Sequence, residues 1–507
     1  MAVTFCSTFS RAPTRRGFAA GALAAAALRG AARAALPASA APLPGHPVDV
    51  AIIGAGAAGI AAARACQNLV DYVVLEARGR VGGRCTTSSS FVIPVDLGAQ
   101  WFQMVTPNAA GTGTNNPLFD IAAALSLSDA RVNRLLRLQP DLFDRAFYRN
   151  RQKLPLTNPK TLAAAALLLE MDDAVAKAGE AINSGTLADL SFQQLLENNG
   201  FLNQPWGQLD AGATAASFGV TIDKLGVLDI ANLYSLGPTP ELPSPFNWLT
   251  PYGLGNFLRD FLAAGLAISL NTKVLSINRG AGGVTIGTSR GTVTAKTAII
   301  TIPPSVLISA DGPAFTPPLP SQYQDAFAGL PMGVVEKIIM QFDTSNVFPG
   351  LEARGSRNTF STLFRDSLSA RVVYAREWDS SVGVCFAVGP EAQAAAEKGK
   401  RALLALGLDT MRAIFGGHPA SHLVKWDAPS WWTDPFAHGS YSYAPPGNVP
   451  LRTVLTQPVD DQLYFAGEAA SLLQRSSLPG AWITGENAAV AAIKQVQAVR
   501  ATKVSFA

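Results

Sequence analysis

The sequence predicts an α/β fold of two domains, one built on a parallel sheet flanked by helices and the other of mixed α+β character. A glycine-rich turn near residue 54 joins an apolar run to a helical stretch, which is typical of a βαβ unit. Further strand patterns lie near residues 250–305 and 445–498, and we predict that they belong to the same domain, which is then discontinuous. The intervening stretches show helix and strand periodicity of their own.

Composition excludes several classes of protein. With 507 residues, the chain has room for two or three domains. Charged residues make up 15% and hydrophobic residues 48%, a balance that excludes intrinsic disorder and requires apolar cores. The net charge is +4, but the first 40 residues contain five arginines and no acid, so the rest of the chain carries −1. We therefore predict no nucleic-acid partner.

The first 40 residues resemble a twin-arginine export signal. The segment Thr14–Phe18 contains the arginine pair, Ala19–Leu28 is apolar, and Ala38–Ala40 offers small residues for cleavage. An anchor is the alternative, but this apolar run spans about 15 Å of helix, half of a hydrocarbon layer, and Arg29 follows at once. We predict a signal peptide over residues 1–40, export through the twin-arginine machinery to the periplasm or medium, and no stable membrane insertion after processing.

The first glycine-rich turn indicates a dinucleotide site. Val48–Ile53 reads as a strand and Ile60–Cys66 as the start of a helix. Gly54 permits the tight turn, Gly56 lets backbone amides approach a pyrophosphate, and Gly59 lets the helix pack closely on the strand. The residues that we assign to the cofactor here are Gly54, Gly56, Ala58 and Gly59.

A second motif separates flavin from nicotinamide. The strand Tyr72–Leu75 ends in Glu76, twenty residues beyond Gly56, where a carboxylate can accept both hydroxyls of an adenosine ribose. The glycine pair Gly82-Gly83 and three arginines follow by Arg84, in a place where they can cover a pyrophosphate. Here the sequence resembles the flavin-containing amine oxidases, which implies a Rossmann-like FAD-binding domain (GR2-type), discontinuous in sequence. The cofactor-binding residues implied for this motif are Glu76, Ala77, Arg78, Gly83 and Arg84.

The resemblance continues along the chain. Asp96–Trp101 matches the family segment that passes the flavin ring, and the strand from Leu463 ends in a Gly-Glu pair that the family brings to the ribityl or pyrophosphate part. The last helix, opening near Pro479, sets its N-terminus toward the flavin. The further FAD-binding residues implied by the resemblance are Ala99, Gln100, Trp101, Val274, Trp432, Gly467, Glu468 and Ala481.

Three residues are implied for catalysis. Leu330–Ile339 matches the family segment whose lysine bonds through water to flavin N5, which gives Lys337 a role beyond that of a snorkelling side chain. Trp431–Tyr443 is similar to a pattern of the polyamine oxidase and lysine-demethylase branch, in which Tyr441 forms one wall of an aromatic cage. Trp482 is the candidate second wall, although the segment between Ala470 and Leu478 departs from the family pattern.

The flavin is predicted to be bound without a covalent link. Some relatives carry, at the place of Ser440, a cysteine that forms a thioether to the cofactor, and serine cannot form this bond. No metal site is predicted. His418 and His422 are four residues apart, but Pro419 between them disfavours a regular helix face with two ligands.

The motif positions predict the domain boundaries. The insertion that begins at residue 116 is rich in helix formers, such as Thr161–Met171, and the second alternates in strand fashion at Val334–Phe342 and Val382–Val388 before one helical stretch, Glu391–Phe415. The predicted FAD-binding domain comprises residues 47–115, 241–305 and 445–500. The predicted substrate-binding domain comprises residues 116–240 and 306–444.

The resemblance implies an enzyme that oxidises a small-molecule amine, a polyamine or another primary or secondary amine. The amine gives hydride from its α-carbon to flavin N5, the imine hydrolyses, and molecular oxygen or another electron acceptor reoxidises the flavin, with hydrogen peroxide as the product of oxygen. Two alternatives stay open at this point. An L-amino acid oxidase would need an arginine aimed at the substrate carboxylate, and a non-catalytic flavin-binding protein would keep the fold alone.

The leader yields a direct prediction. Replacing Arg15 and Arg16 together by Lys keeps the charge but removes the guanidinium pair that the export route reads, so the enzyme should stay in the cytoplasm. Cell fractionation of the bacterial producer checks this against the unchanged leader. Normal periplasmic activity of the double variant would contradict the export assignment.

Overall fold

A computed structural model provides the fold, and it describes residues 42–106, 113–140, 144–149, 152–154, 159–235, 247–349, 359–364 and 370–505. The predicted signal peptide, residues 1–40, lies outside the described residues. The strands are β1 Val48–Ile53, β2 Tyr72–Leu75, β3 Thr87–Ser88, β4 Val95–Asp96, β5 Gln139–Pro140, β6 Asp144–Arg149, β7 Gln152–Leu154, β8 Trp248–Leu249, β9 Ile268–Ser269, β10 Val274–Gly280, β11 Gly283–Thr288, β12 Gly291–Ile300, β13 Ala314–Thr316, β14 Met332–Gly333, β15 Val335–Phe342, β16 Thr359–Phe364, β17 Ala370–Ala375, β18 Val382–Val388, β19 Leu423–Asp427, β20 Tyr441–Ser442 and β21 Leu463–Phe465.

Helices connect and cover these strands. The α-helices are α1 Ala57–Cys66, α2 Pro117–Ser128, α3 Ala130–Leu136, α4 Pro159–Asn183, α5 Phe192–Asn198, α6 Pro205–Phe218, α7 Val227–Tyr234, α8 Leu254–Phe257, α9 Pro304–Leu307, α10 Ser321–Gly329, α11 Gly389–Glu397, α12 Lys400–Phe415, α13 Leu451–Val454 and α14 Leu478–Ser505. A π-helical turn, Leu258–Leu262, continues α8. Within the described residues, no helix combines the length and apolar character that a membrane crossing requires.

The first sheet has a parallel core in the order β9-β2-β1-β12-β21. Numbered along the chain, this order is 3-2-1-4-5, so the strand order reverses at β1, where doubly wound sheets bind their ligands. The long strand β12 joins two parts of the sheet, because its first half pairs antiparallel with β11 and its second half pairs parallel with β21. The parallel core therefore takes strands from three distant stretches of the chain, and the predicted α/β class with a Rossmann-like FAD-binding fold is confirmed.

Small residues bring the first and last helices close to this sheet. All six residues of β1 are buried, which explains why its sequence is apolar except for Asp49, whose carboxylate pairs with Lys296 at 2.7 Å and with Arg500 at 2.5 Å. Helix α1 packs between β1 and α14, and a Cβ at Gly485 would lie 2.1 Å from the carbonyl oxygen of Ala58. The two helices can approach this closely only because glycine lacks a side chain.

The second sheet has seven strands in the order β19-β15-β18-β17-β16-β6-β7. Its pairs are antiparallel except for β16 with β6, which run parallel. Helices α11 and α12 cover one face through an apolar core that includes Ile338, Met340, Cys385 and Leu403. Because side chains alternate across a strand, the other face is left to line a cavity.

One of the predicted elements differs from the structure. The predicted single helix Glu391–Phe415 is two helices, α11 and α12, because Gly399 between them adopts φ +93°. The predicted strands Val334–Phe342 and Val382–Val388 correspond to β15 and β18.

The predicted domain boundaries stay a prediction. Strand β13 lies beyond residue 305 yet pairs with β10 of the first sheet. Strands β6 and β16, which come from the two predicted insertions, pair with each other in the second sheet.

A buried ion-pair cluster joins helix α7 to the last third of the chain. Asp229 Oδ1 accepts from Nε of Arg475 at 2.5 Å and from Nη2 of Arg452 at 3.3 Å, and its Oδ2 accepts from the backbone N of Ala444 at 2.8 Å. All three charged side chains are at most 1% exposed. The cluster thus holds the helical first insertion against the segment that precedes α14.

Removing the shared carboxylate should destabilise the fold. Asp229→Asn removes the carboxylate that pairs directly with two buried guanidinium groups, so we expect the free energy of unfolding to fall by about 3 to 5 kcal/mol. Chemical denaturation followed by fluorescence measures the change. Asp223→Asn is the control, because Asp223 is exposed and close in sequence. Equal denaturation midpoints for the two variants would contradict the role of Asp229.

Candidate active site

One cavity of about 720 Å³ runs from the carboxyl edge of the parallel sheet to the uncovered face of the second sheet. All but three of the predicted site residues line it. Those that do are Gly54, Gly56, Ala58, Glu76, Ala77, Arg78, Gly83, Arg84, Ala99, Gln100, Trp101, Val274, Lys337, Tyr441, Gly467, Glu468 and Ala481. The parallel strands bring these distant motifs together, since β1, β2, β12 and β21 all end at the cavity.

The glycine turn after β1 forms a narrow cradle. Gly54 adopts φ +104°, and a Cβ at Gly59 would lie 1.8 Å from the Gly54 carbonyl oxygen, so both positions require glycine. Gly59 lies beneath the turn, and its role is to let α1 pack there. The second glycine motif closes on the first, because the backbone N of Gly82 donates to the carbonyl of Ala55 at 2.8 Å.

Glu76 lies at the end of β2 beside this cradle. Its Oε2 accepts from the backbone N of Ala55 at 2.7 Å and its Oε1 from the backbone N of Arg78 at 2.8 Å. The side chain is buried, and burial raises its pKa against the lowering effect of these two amides and of the nearby arginines. Each carboxyl oxygen keeps a second lone pair, so Glu76 can still accept hydroxyl groups from a ligand in the cavity.

An ion pair and an aromatic ring lie beside Glu76. Arg78 donates two hydrogen bonds to Asp434, at 2.9 and 2.7 Å, and its guanidinium lies 5.0 Å from the ring centroid of Phe436. Asp311, which also lines the cavity, pairs with Lys273 at 3.3 Å and with His438 at 3.1 Å. Sequence reasoning missed all three pairs, because the partners are distant along the chain.

Arg84 and Glu468 form a second ion pair, 3.1 Å apart, at the middle of the cavity. Arg84 also donates to the carbonyl of Ser440 at 2.9 Å, and Glu468 accepts from Oγ of Ser442 at 2.7 Å and from the backbone N of Ser476 at 3.0 Å. Burial acts to raise the pKa of Glu468, but Arg84 and the hydrogen bonds outweigh it and hold that pKa below the ordinary value. Glu468 is therefore ionised and fully engaged.

Lys337 is a buried cation in β15, with 3% of its surface exposed. Its Nζ donates to the carbonyl oxygen of Asp96 at 2.9 Å and to Oε1 of Gln100. The same atom lies 5.0 Å from the ring centroid of Phe386 and 5.9 Å from that of Trp101. Burial lowers the pKa of Lys337 to about 8, although the charge of Asp96 opposes this shift.

Three aromatic rings form a wall beside Lys337. The ring centroids of Trp101 and Tyr374 are 5.7 Å apart, and Phe386 lies 6.1 Å from the first and 5.4 Å from the second. All three line the cavity. Sequence reasoning assigned Trp101 to the cofactor and missed the other two, although alternation in the strand Val382–Val388 was a usable signal.

The ring of Tyr441 lines the cavity, as the sequence predicts for a cage wall. Its hydroxyl donates to the carbonyl oxygen of Ser217, at the end of α6, at 2.7 Å. Burial raises the pKa of Tyr441 well above the ordinary value, so the phenol stays neutral.

Two tryptophans do not lie where the sequence suggested. Trp482 is fully buried in the core around α1 and α14, and its Nε1 donates to Glu486 at 2.8 Å, so it is not a wall of the cavity. Trp432 does not line the cavity either, because its Nε1 turns to the surface and donates to Glu397 at 3.1 Å. The neighbouring Trp431 takes that place, held by the buried carboxylate of Glu336, which accepts from its backbone N at 2.9 Å.

Metal ligands do not cluster in the part of the chain that the structure describes.

The cavity does fit a dinucleotide. Around Gly56 and Gly467, no atom lies within 4 Å of the place of a Cβ, so their backbones face open space at the ends of two parallel strands. The glycine turn, Glu76 and the N-terminal end of α14 at Ala481 surround this space, which matches the needs of a ribose and a pyrophosphate.

The chain is similar to known proteins over most of its length. The model of the family described as flavin containing amine oxidoreductase matches residues 57–493. Polyamine oxidase 4 of Oryza sativa subsp. japonica is 30% identical over 464 residues, which cover 87% of this chain and 88% of the relative. Lysine-specific histone demethylase 1 homolog 3 of Arabidopsis thaliana is 26% identical over 503 residues, 87% of this chain but 30% of that protein.

Two solved structures share the fold. Cyclohexylamine oxidase from Brevibacterium oxydans IH-35A superimposes with a TM-score of 0.68 at 19% identity, covering 89% of this chain and 100% of that one. A double mutant of putrescine oxidase has a TM-score of 0.68 at 20% identity, with coverage of 88% and 99%.

The position of Glu76 yields a prediction about cofactor affinity. Glu76→Gln keeps the shape of the side chain but removes the charge that receives the ribose hydroxyls, so FAD affinity should fall by about 1 to 3 kcal/mol. Fluorescence titration of the cofactor-free protein with FAD measures the change. Glu197→Gln, an exposed site, is the control. Unchanged FAD affinity in the Glu76 variant would count against the assignment.

Proposed function

Because the chain belongs to the flavin-containing amine oxidoreductase family, we propose that its cavity holds FAD without a covalent link and oxidises a small-molecule amine to an imine. One observation carries the proposal. A single cavity joins the glycine cradle and Glu76 at one end to the buried Lys337 and the ring of Tyr441 at the other. The imine then hydrolyses in water to an aldehyde and ammonia or a shorter amine.

When bound, the flavin accepts hydride from the α-carbon of the amine and passes the electrons on, to oxygen with formation of hydrogen peroxide or to another acceptor. Lys337 supplies a positive charge and a hydrogen-bond donor at this place. An ammonium has three donors, and Lys337 uses two of them on Asp96 and Gln100, so the third can hold a water molecule in the cavity.

The surroundings favour the neutral form of the amine, which is the form that can release hydride. The wall of Trp101, Tyr374 and Phe386 removes the amine from water, and desolvation disfavours an ammonium. The charge of Lys337 acts in the same direction. Tyr441 and the aromatic wall also restrict the orientation of the substrate, which places its C–H bond for reaction.

The alternative of an L-amino acid oxidase lacks an arginine. Among the described residues, the arginines that line the cavity are Arg78, Arg84 and Arg475. Each pairs with a carboxylate, namely Asp434, Glu468 and Asp229 in that order. A substrate carboxylate would have to displace one of these internal partners, so the amine oxidase proposal is favoured.

Anaerobic reduction of the flavin tests the proposed function. The purified FAD-loaded protein is mixed with amines and with L-amino acids in the absence of oxygen, and bleaching of the visible band is followed by stopped flow. The proposal predicts bleaching by amines and none by amino acids. Bleaching by amino acids alone, or by neither set, would contradict it.

The twin-arginine leader supports a second proposal, that the protein is exported with its cofactor already bound.

Ser440 predicts a noncovalent cofactor. Its hydroxyl donates to the carbonyl oxygen of Val335 at 2.7 Å and accepts from the backbone N of Val335 at 2.9 Å, so it acts as a structural link between two strands. Acid precipitation of the loaded protein should release the yellow colour into the supernatant. Yellow colour that stays in the pellet would contradict this prediction.

Lys337→Met should slow the reaction with oxygen. The change keeps the apolar stem but removes the charge that stabilises a developing negative charge on oxygen, so we expect reoxidation to slow by about 10-fold or more while FAD still binds. Reduction by the amine should change less, and stopped-flow measurement separates the two half-reactions. Lys400→Met is the control, because Lys400 is exposed.

The pH dependence gives a further readout of the same variant. The ammonium of Lys337 exists below its pKa of about 8, so wild-type reoxidation should slow as pH rises through this value, and the Met variant should lack that step. If the Met variant is reoxidised at the wild-type rate, the reaction of the reduced flavin with oxygen does not depend on Lys337.

A further inference from the structure

One face of the second sheet builds a wall of the cavity. Two alternate residues of each of three adjacent strands line the cavity, and the register places Val335 opposite Val388 and Lys337 opposite Phe386, which is itself opposite Val372. Apart from Lys337, the members of this patch are Val335, Val372, Tyr374, Phe386 and Val388. The patch is therefore an apolar surface with one cation in it.

The opposite wall is also largely apolar. The last turns of α6 contribute Ala213, Ala216 and Phe218, and α7 contributes Leu233. The guanidinium of Arg475 lies 4.7 Å from the ring centroid of Phe218. Arg475 also lines the cavity, and its charge is paired with Asp229.

Carboxylates are confined to other places. Among the described residues that line the cavity, the acids are Glu76, Asp311 and Glu468. Glu76 and Asp311 lie with the residues at the nucleotide end, and Glu468 is occupied by Arg84 and Ser442. Near the sheet patch and the wall from α6 and α7, the described residues of the cavity lining thus offer no unpaired anion to a second ammonium on the substrate.

From this distribution we infer that the substrate is a monoamine whose carbon part is aromatic or alicyclic, and that polyamines are poor substrates. The inference rests on the proposed function. A polyamine carries further ammonium groups, which would lose their water without gaining a counter-ion and would be repelled by Lys337. An apolar ring gains from burial against Val372, Phe386 and Phe218.

The preference can be measured with the FAD-loaded protein. Anaerobic stopped flow compares benzylamine and cyclohexylamine with putrescine and spermidine at equal pH and ionic strength. We expect the ratio of the reduction rate constant to the dissociation constant to be at least about 100-fold higher for the ring-bearing monoamines, the scale of leaving one charge unpaired. Dissociation constants from the perturbed flavin spectrum should show the same order.

The outcomes separate the two claims. If putrescine or spermidine reduces the flavin as well as benzylamine does, the inference is wrong and the amine oxidase proposal stands. If no amine reduces the flavin, both are wrong.

A new carboxylate should shift the preference. Gln103 and Asn247 line the cavity, and Oδ1 of Asn247 is buried without a described hydrogen-bond partner. Gln103→Glu and Asn247→Asp add a negative charge with little change in shape. In at least one of them, the ratio of the reduction rate constant to the dissociation constant should rise about 10-fold for spermidine relative to benzylamine, the scale of one charge-assisted hydrogen bond. Asn203→Asp, at an exposed position, is the control.

Flavin content and melting temperature establish that the variants are folded and loaded. An unchanged substrate ratio in both folded, loaded cavity variants would overturn the electrostatic basis of the inference.

Discussion

The pairing of each cavity arginine with a carboxylate from a distant segment is the constraint on which the site depends. Arg78 meets Asp434, Arg84 meets Glu468, and Arg475 meets Asp229 across the fold. These pairs add little net stability, because burial removes both charges from water, but breaking one leaves a charge that the interior cannot solvate. They therefore fix which parts of the discontinuous chain meet, and they leave no free guanidinium among the described residues that line the cavity.

Lys337 differs from these arginines, and the difference bears on the chemistry. Its direct hydrogen-bond acceptors are two neutral oxygens, of Asp96 and Gln100, and aromatic rings lie nearby. Burial lowers its pKa to about 8, against the opposing charges of Asp96 and Glu377. The ammonium of Lys337 can stabilise negative charge that develops on oxygen, and it can also repel a second positive charge on a substrate. One residue accordingly connects the proposed reaction with oxygen and the inferred preference for an apolar monoamine.

The sequence was sufficient where chemistry depends on a local pattern. The turn from Gly54 to Gly59, the acid at the end of β2 and Lys337 in its matching segment were all found this way, and they line or support one cavity. Trp482 was misassigned because the direction of a helical side chain depends on packing, and α14 turns this ring into the core against α1. Tyr374 and Arg475 were missed because their partners lie far along the chain. Gly399 between α11 and α12, by contrast, was a visible helix break.

A crystal structure of the mature protein loaded with FAD tests the central claim most directly, namely that one cavity brings the cofactor to Lys337. The account predicts the adenosine ribose at Glu76, the pyrophosphate over the turn at Gly56, and the flavin ring between Lys337 and Tyr441, with no bond to Ser440. A flavin ring outside the space between Lys337 and Tyr441, or a ribose without contact to Glu76, would contradict it.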